Sequence, residues 1–129
     1  MKIHQISVFL ENRPGRLLHL LQALTAAQVN LRALSVADTA DFGIARLVVS
    51  DTDAALKAIR QAGLTAATTE VLHVQVPDTP GGLAKAVIGP LAEAGVNVEY
   101  VYAFSERLAE QAVVVLKVDD PDRAEEVLR

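Results

Sequence analysis
The chain predicts an α+β protein built from one βαββαβ unit written twice. Three observations carry this. A Pro-Gly turn recurs, as "ENRPGRLL" (Glu11 to Leu18) and "PDTPGGLA" (Pro77 to Ala84), with the prolines 66 positions apart (80 − 14). The residues before each turn alternate, with Ile6, Val8 and Leu10 matched by Leu72, Val74 and Val76. An asparagine then follows each turn, in "ALTAAQVNL" (Asn30) and "PLAEAGVNV" (Asn97).

Each element has a local reason. Residues 2–10 read as a strand with Ile6, Val8 and Leu10 on one face and Gln5, Ser7 and Phe9 on the other. Pro14 suits the first turn of a helix, where a missing N–H costs nothing, and Leu17, Leu20, Leu21 and Leu24 follow at helical spacing. Residues 31–38 and 43–50 read as strands around the turn "TADFG". Asp51-Thr52-Asp53 offers N-cap oxygens for a helix over about 53–62, which Gly63 ends. A short strand near 65–69 completes the first repeat, residues 1–69.

The second repeat, residues 70–129, follows the same order with two departures. Its asparagine stands at an offset of 67 (97 − 30), and "LVVSDTD" lies over "VLKVDDPD" at an offset near 68. The first extra residue falls in the helix that contains "VIGPLAEAG". Pro90 there removes a hydrogen bond and clashes with the preceding turn, so Gly89-Pro90 is expected to absorb it as a kink or bulge; two short helices are the alternative. "PDRAEEVLR" supplies a last helix, and the repeat stops without its final strand. The plan is ferredoxin-like, two tandem repeats with antiparallel sheets and helices on one face.

Composition narrows the function. Of 129 residues, 51% are apolar and 22% charged, which suits folded domains with real cores. A net charge of −4 offers no basic field for nucleic acid. The lack of cysteine excludes disulfides and thiol chemistry. No apolar run approaches a membrane span or a signal peptide, and a cytoplasmic location is expected. His4, His19 and His73 lack metal-ligand spacing. Asp51, Asp53, Asp119, Asp120 and Asp122 read as caps and helix-dipole partners. No nucleophile–base pair, P-loop or dinucleotide fingerprint appears, so no enzyme activity, metal or cofactor is expected.

The two turns carry the chemistry. A helix N-terminus offers unpaired N–H groups and partial positive charge to a carboxylate, and glycine there lets a ligand approach the backbone. Asn12, Asn30 and backbone carbonyls can accept from an ammonium group. Together these suit a zwitterion. In the first repeat the candidates are Asn12, Arg13, Pro14, Gly15, Arg16 and Leu17, with Asn30 and Leu31. In the second they are Asp78, Thr79, Gly81, Gly82 and Leu83, with Asn97 and Val98. Asp78 replaces Asn12, so the two loops need not be equal. A second reading stays open, in which Asn12 and Asp78 cap helices and Asn30 and Asn97 take left-handed positions after helix ends. Tyr100, Tyr102 and Phe104 form a period-two stripe opposite small residues at Ala33, Ser35 and Ala37 of the first repeat, which fits either an ordinary buried stripe or pairing of sheet faces.

"ENRPGRL…AAQVNL" and "PDTPGGL…EAGVNV" resemble the opening of ACT domains, the ligand-sensing modules of amino-acid-metabolism enzymes. The match spans nearly the whole chain as a stand-alone tandem pair, and "ENRPG" is similar to phosphoglycerate dehydrogenase regulatory domains and to the start of acetolactate synthase regulatory subunits. The resemblance implies that Asn12 and Asn30 bind an amino acid effector across a subunit interface. A histidine used in that family two residues before the first asparagine is Leu10 here, which argues against serine. It also implies a non-catalytic, allosteric sensor, a homodimer, and an amino-acid-metabolism enzyme or regulator as partner. The alternative is a structural or interaction protein that keeps the fold without a ligand.

Overall fold
The computed structural model describes residues 1–39, 41–108 and 111–129. The elements are β1 (Lys2–Glu11), α1 (Arg16–Ala26), β2 (Leu31–Thr39), β3 (Phe42–Val49), α2 (Thr52–Gln61), β4 (Thr65–Pro77), a π-helical turn (Ala84–Ile88), α3 (Gly89–Glu93), β5 (Val98–Leu108), β6 (Gln111–Val118) and α4 (Pro121–Leu128). They form two compact units, His4–Thr69 and Met1–Ile3 with Glu70–Arg129.

In His4–Thr69, β3 lies between β1 and β2 and pairs antiparallel with both; Leu10 faces Gly43 and Val36 faces Ala45. Of the expected turn "TADFG", Ala40 lies outside the described residues. Alternation sends Ile6, Val8 and Leu10 of β1 and Ala45, Leu47 and Val49 of β3 into one core with Leu20 and Leu24 of α1 and Ala55 and Ile59 of α2. Burying each of the larger side chains contributes about 1.5–3 kcal/mol. Gln5, fully buried in β1, hydrogen-bonds Ser7 Oγ at 3.2 Å. Asp51 caps α2 through Ala54 N–H at 3.1 Å. His19 Nε2 donates to the Ala62 carbonyl at 2.9 Å and so ties α1 to the end of α2.

In the other unit, β6 pairs antiparallel with β4 and β5. Its core of Leu72, Val76, Val87, Leu91, Val114, Leu116, Val118 and Ala124 repeats most of the first, with Val74 and Leu128 half-buried where Val8 and Ile59 are fully buried. Asp120 caps α4 as Asp51 caps α2, through Arg123 N–H at 3.1 Å, an offset of 69 (120 − 51). The offset near 68 read from the sequence is therefore 69 after the β5–β6 hairpin. Two residues enter with β5, which has 11 residues where β2 has 9. His73 N–H donates to the Met1 carbonyl at 2.8 Å, and Lys2 pairs with Asp122. Met1–Ile3 thus run beside β4 in the unit whose sequence ends at α4. Tyr100 and Tyr102 are half-buried with ring centroids 6.3 Å apart, and Phe104 stacks on His73 at 6.2 Å.

The extra residue ahead of Asn97 sits where Gly89-Pro90 placed it. The helix runs unbroken through residues 82–93, widened to π geometry over Ala84–Ile88, with Gly89 N–H reaching back to the Ala84 carbonyl. The wider turn makes room for a proline that a regular α-helix would exclude. A Cβ on Gly89 would stand 2.8 Å from that carbonyl, so the backbone approach needs glycine.

Three local expectations change. Pro14 precedes α1 instead of entering it, and Gly15 is the N-cap at φ 87°. The strand expected at 65–69 runs on without a break to Pro77 as β4. The left-handed residues after α1 and α3 are Gln28 (φ 57°) and Gly95 (φ 76°), two positions before Asn30 and Asn97.

Candidate ligand site
The first Pro-Gly loop is built on the end of β1. Asn12 N–H donates to the Asp41 carbonyl at 2.9 Å, which ties the loop to the start of β3. Arg13 N–H turns back to the Glu11 carbonyl at 2.9 Å. The Arg13 side chain makes two contacts to the Glu11 carboxylate, Nε to Oε2 at 3.1 Å and a terminal nitrogen to Oε1 at 3.3 Å. The fork-to-carboxylate geometry orients both groups, although exposure keeps the pair's stabilisation below about 1 kcal/mol. Gly15 has no side chain to satisfy the first N–H groups of α1, whereas α2 and α4 carry aspartate caps and a second acid in the first turn.

Asn12, Arg13 and Leu17 share the lining of one cavity of 170 Å³ with Leu10, Glu11, Val36 and Gly43. Glu11, Val36 and Gly43 were not singled out by motif. Strand register would have found the last two, because Gly43 faces Leu10 and Val36 lies two rungs further along β3. Arg16 lines a separate cavity with Phe9, Phe42 and Gly63 among its walls. Pro14 and Gly15 are exposed in the turn.

Asn30 and Leu31 are elsewhere. Asn30 N–H donates to Ser50 Oγ at 3.0 Å and its carbonyl accepts from Ser50 N–H at 2.9 Å, which fastens the start of β2 to the end of β3. The first loop meets the opposite end of the same strands, where Glu11 and Thr39 both face Phe42. At about 3.3 Å per residue along β2, Asn12 and Asn30 of one unit stand roughly 25 Å apart. No single unit brings the two asparagines together.

The second loop differs in packing as well as charge. Asp78, Thr79 and Gly81 are exposed, Gly82 is buried and Leu83 half-buried. Gly82 N–H donates to the Thr79 carbonyl at 2.9 Å, and a Cβ on Gly82 would fall 2.1 Å from the Pro77 carbonyl oxygen. The backbone is closed onto itself there. Arg16 holds the matching position in the first loop, so that loop accommodates a side chain where the second does not. Asn97 repeats Asn30: its N–H donates to Asp119 Oδ1 at 3.0 Å and its carbonyl accepts from Asp119 N–H at 3.1 Å. Asp119 therefore serves the strand and not the helix cap expected of it. Val98 follows, half-buried, at the start of β5.

Among the described residues no group of three metal-ligating side chains converges, and no helix is long and apolar enough to cross a membrane. Two βαββαβ units, each entering its first helix through a Pro-Gly turn, define a tandem of small α+β modules with chemistry concentrated in the loops. The family pattern of the ACT domain pair matches residues 1–129, and the chain belongs to that family. The crystal structure of protein BT0572 from Bacteroides thetaiotaomicron is 41% identical over 99% of this chain and 87% of its own, with a TM-score of 0.92. The ligand-free regulatory subunit of aspartate kinase from Thermus thermophilus is 20% identical, covers 98% of this chain and 88% of its own, and has a TM-score of 0.72. The corresponding Thermus flavus subunit is 21% identical, with 100% and 92% covered and a TM-score of 0.66; both share the fold. No curated protein matches the chain.

Proposed function
We propose that this protein is a cytoplasmic, non-catalytic regulatory module that senses a free amino acid at its first Pro-Gly loop. The observation that carries this is the convergence of Asn12, Arg13 and Leu17 on one cavity beneath the loop. An amide, an oriented carboxylate–guanidinium pair and the open start of a helix suit a zwitterion better than any single-charge ligand. Asn30 lies at the far end of its unit, so in this reading the asparagine segment of a second copy closes the site, and the working form is a homodimer. The second loop, closed between Pro77 and Gly82, binds more weakly. The sensed signal passes to an amino-acid-metabolism enzyme or regulator, as the fold shared with aspartate kinase regulatory subunits supports.

A thermal-shift screen against the twenty amino acids tests the reading. Ligand at a hundredfold excess over Kd stabilises the folded state by about 2.7 kcal/mol, and Asn12→Ala removes the shift. The exposed rings of Phe9 (59%) and Phe42 (56%) favour a second reading, an interaction module without ligand; a flat screen supports that one.

A further inference from the structure
The cavity under the first loop has a definite chemical character, and its occupant's side chain follows from it. Its lining has an apolar part beside the polar Glu11, Asn12 and Arg13: Leu10 is 4% exposed and Gly43 is buried, while Leu17 and Val36 are 36% and 48% exposed. Its volume of 170 Å³ equals the share of about six water molecules at roughly 30 Å³ each. That is room for a small amino acid and too little for a drug-sized ligand. The charged groups at the rim, Glu11 and Arg13, hold each other at 3.1 Å and sum to zero. Such a pair has no preference for a side chain of either sign. It does match a head group that itself carries one positive and one negative charge, with the ammonium toward Glu11 and the carboxylate toward Arg13.

Resting on the amino-acid reading above, we infer that the first loop selects amino acids with small aliphatic side chains, of three or four carbons, over polar and charged ones. The side chain lies against Leu10, Leu17 and Val36, and covering the exposed parts of the last two supplies apolar burial. A polar side chain placed against those three loses hydration and finds no hydrogen-bonding side chain among them.

The test is calorimetric titration of the whole protein with valine, leucine and isoleucine against serine, aspartate and lysine. The aliphatic group is expected to bind at least tenfold more tightly than the others, the range that one or two methylenes command in an apolar pocket. Val36→Thr, which preserves the branched shape on an exposed strand position, weakens aliphatic binding severalfold; Val36→Asp weakens it more than tenfold. Circular dichroism melts of both variants without ligand report on folding separately. A polar or charged amino acid that binds best, or aliphatic binding indifferent to folded Val36→Thr, overturns the side-chain assignment and leaves the sensor reading standing. Absence of heat with every amino acid overturns both.

Discussion

Gly82→Ala puts the asymmetry of the two loops to a test whose sign is informative. Gly82 lies at the start of the helix that leads into the π-turn, with no left-handed φ to satisfy. On helix propensity alone alanine there would stabilise by up to about 1 kcal/mol. The contacts say the opposite. The added Cβ would sit 2.1 Å from the Pro77 carbonyl oxygen, 3.2 Å from its carbon and 3.3 Å from Thr79 Oγ1. A relaxed carbon–oxygen contact is about 3.3 Å or more, so backbone on one side must retreat by more than about 1 Å. Overpacking of that kind costs about 1–3 kcal/mol. The retreat also strains the Gly82 N–H to Thr79 carbonyl bond of 2.9 Å, which adds about 0.5–1.5 kcal/mol. Less the propensity gain, we expect a net loss of about 0.5–3.5 kcal/mol, measured by urea unfolding with an unchanged slope. Arg16→Ala, at the matching position of the first loop, should change stability by less than about 0.5 kcal/mol. A Gly82→Ala protein as stable as wild type, or more so, refutes the close packing of the second loop and the distinction drawn between the loops.

Three further outcomes follow from local geometry. Gln28→Gly should stabilise by about 0.5–1 kcal/mol in the same assay, because Gln28 holds φ 57° where the second repeat uses Gly95. Asp51→Ala and Asp120→Ala should each cost about 1 kcal/mol by removing the bonds to Ala54 and Arg123 N–H, with Asp53→Ala and Asp122→Ala costing less. The hydrogen bond that Lys2 donates to the Asp122 carboxylate raises the Lys2 pKa. The folded state therefore holds that proton more tightly than the unfolded chain. The benefit is full below the ordinary lysine pKa and is lost as pH climbs through the raised one, so the melting-temperature gap between wild type and Lys2→Met should close only in that alkaline range.

Much of this architecture was legible in one dimension. The twofold plan rests on alternation at Ile6, Val8 and Leu10, on leucine spacing after Pro14, and on aspartates before α2 and α4. All of these are interactions between residues near in sequence, and local geometry determines them. The π-turn was legible in part for the same reason, since a one-residue change of offset beside Gly89-Pro90 must be absorbed locally, by a kink, a bulge or a break into two short helices, and the structure has the bulge. The candidate site was legible only in part. Glu11, Asn12, Arg13 and Leu17 are close along the chain and meet at one cavity, but Val36 and Gly43 join them through strand register, which no short motif encodes.

The sequence alone determined the element order, the two cores and the loops worth attention, because burial periodicity and capping are short-range constraints. Tertiary structure alone decided three things. It separated Asn12 from Asn30 by the length of β2. It closed Pro77 over Gly82 while leaving room for Arg16. It also brought Met1–Ile3 beside β4, where His73 N–H meets the Met1 carbonyl. Each depends on which backbone groups approach across strands or turns, and such approaches are set by packing in space, not by spacing along the chain.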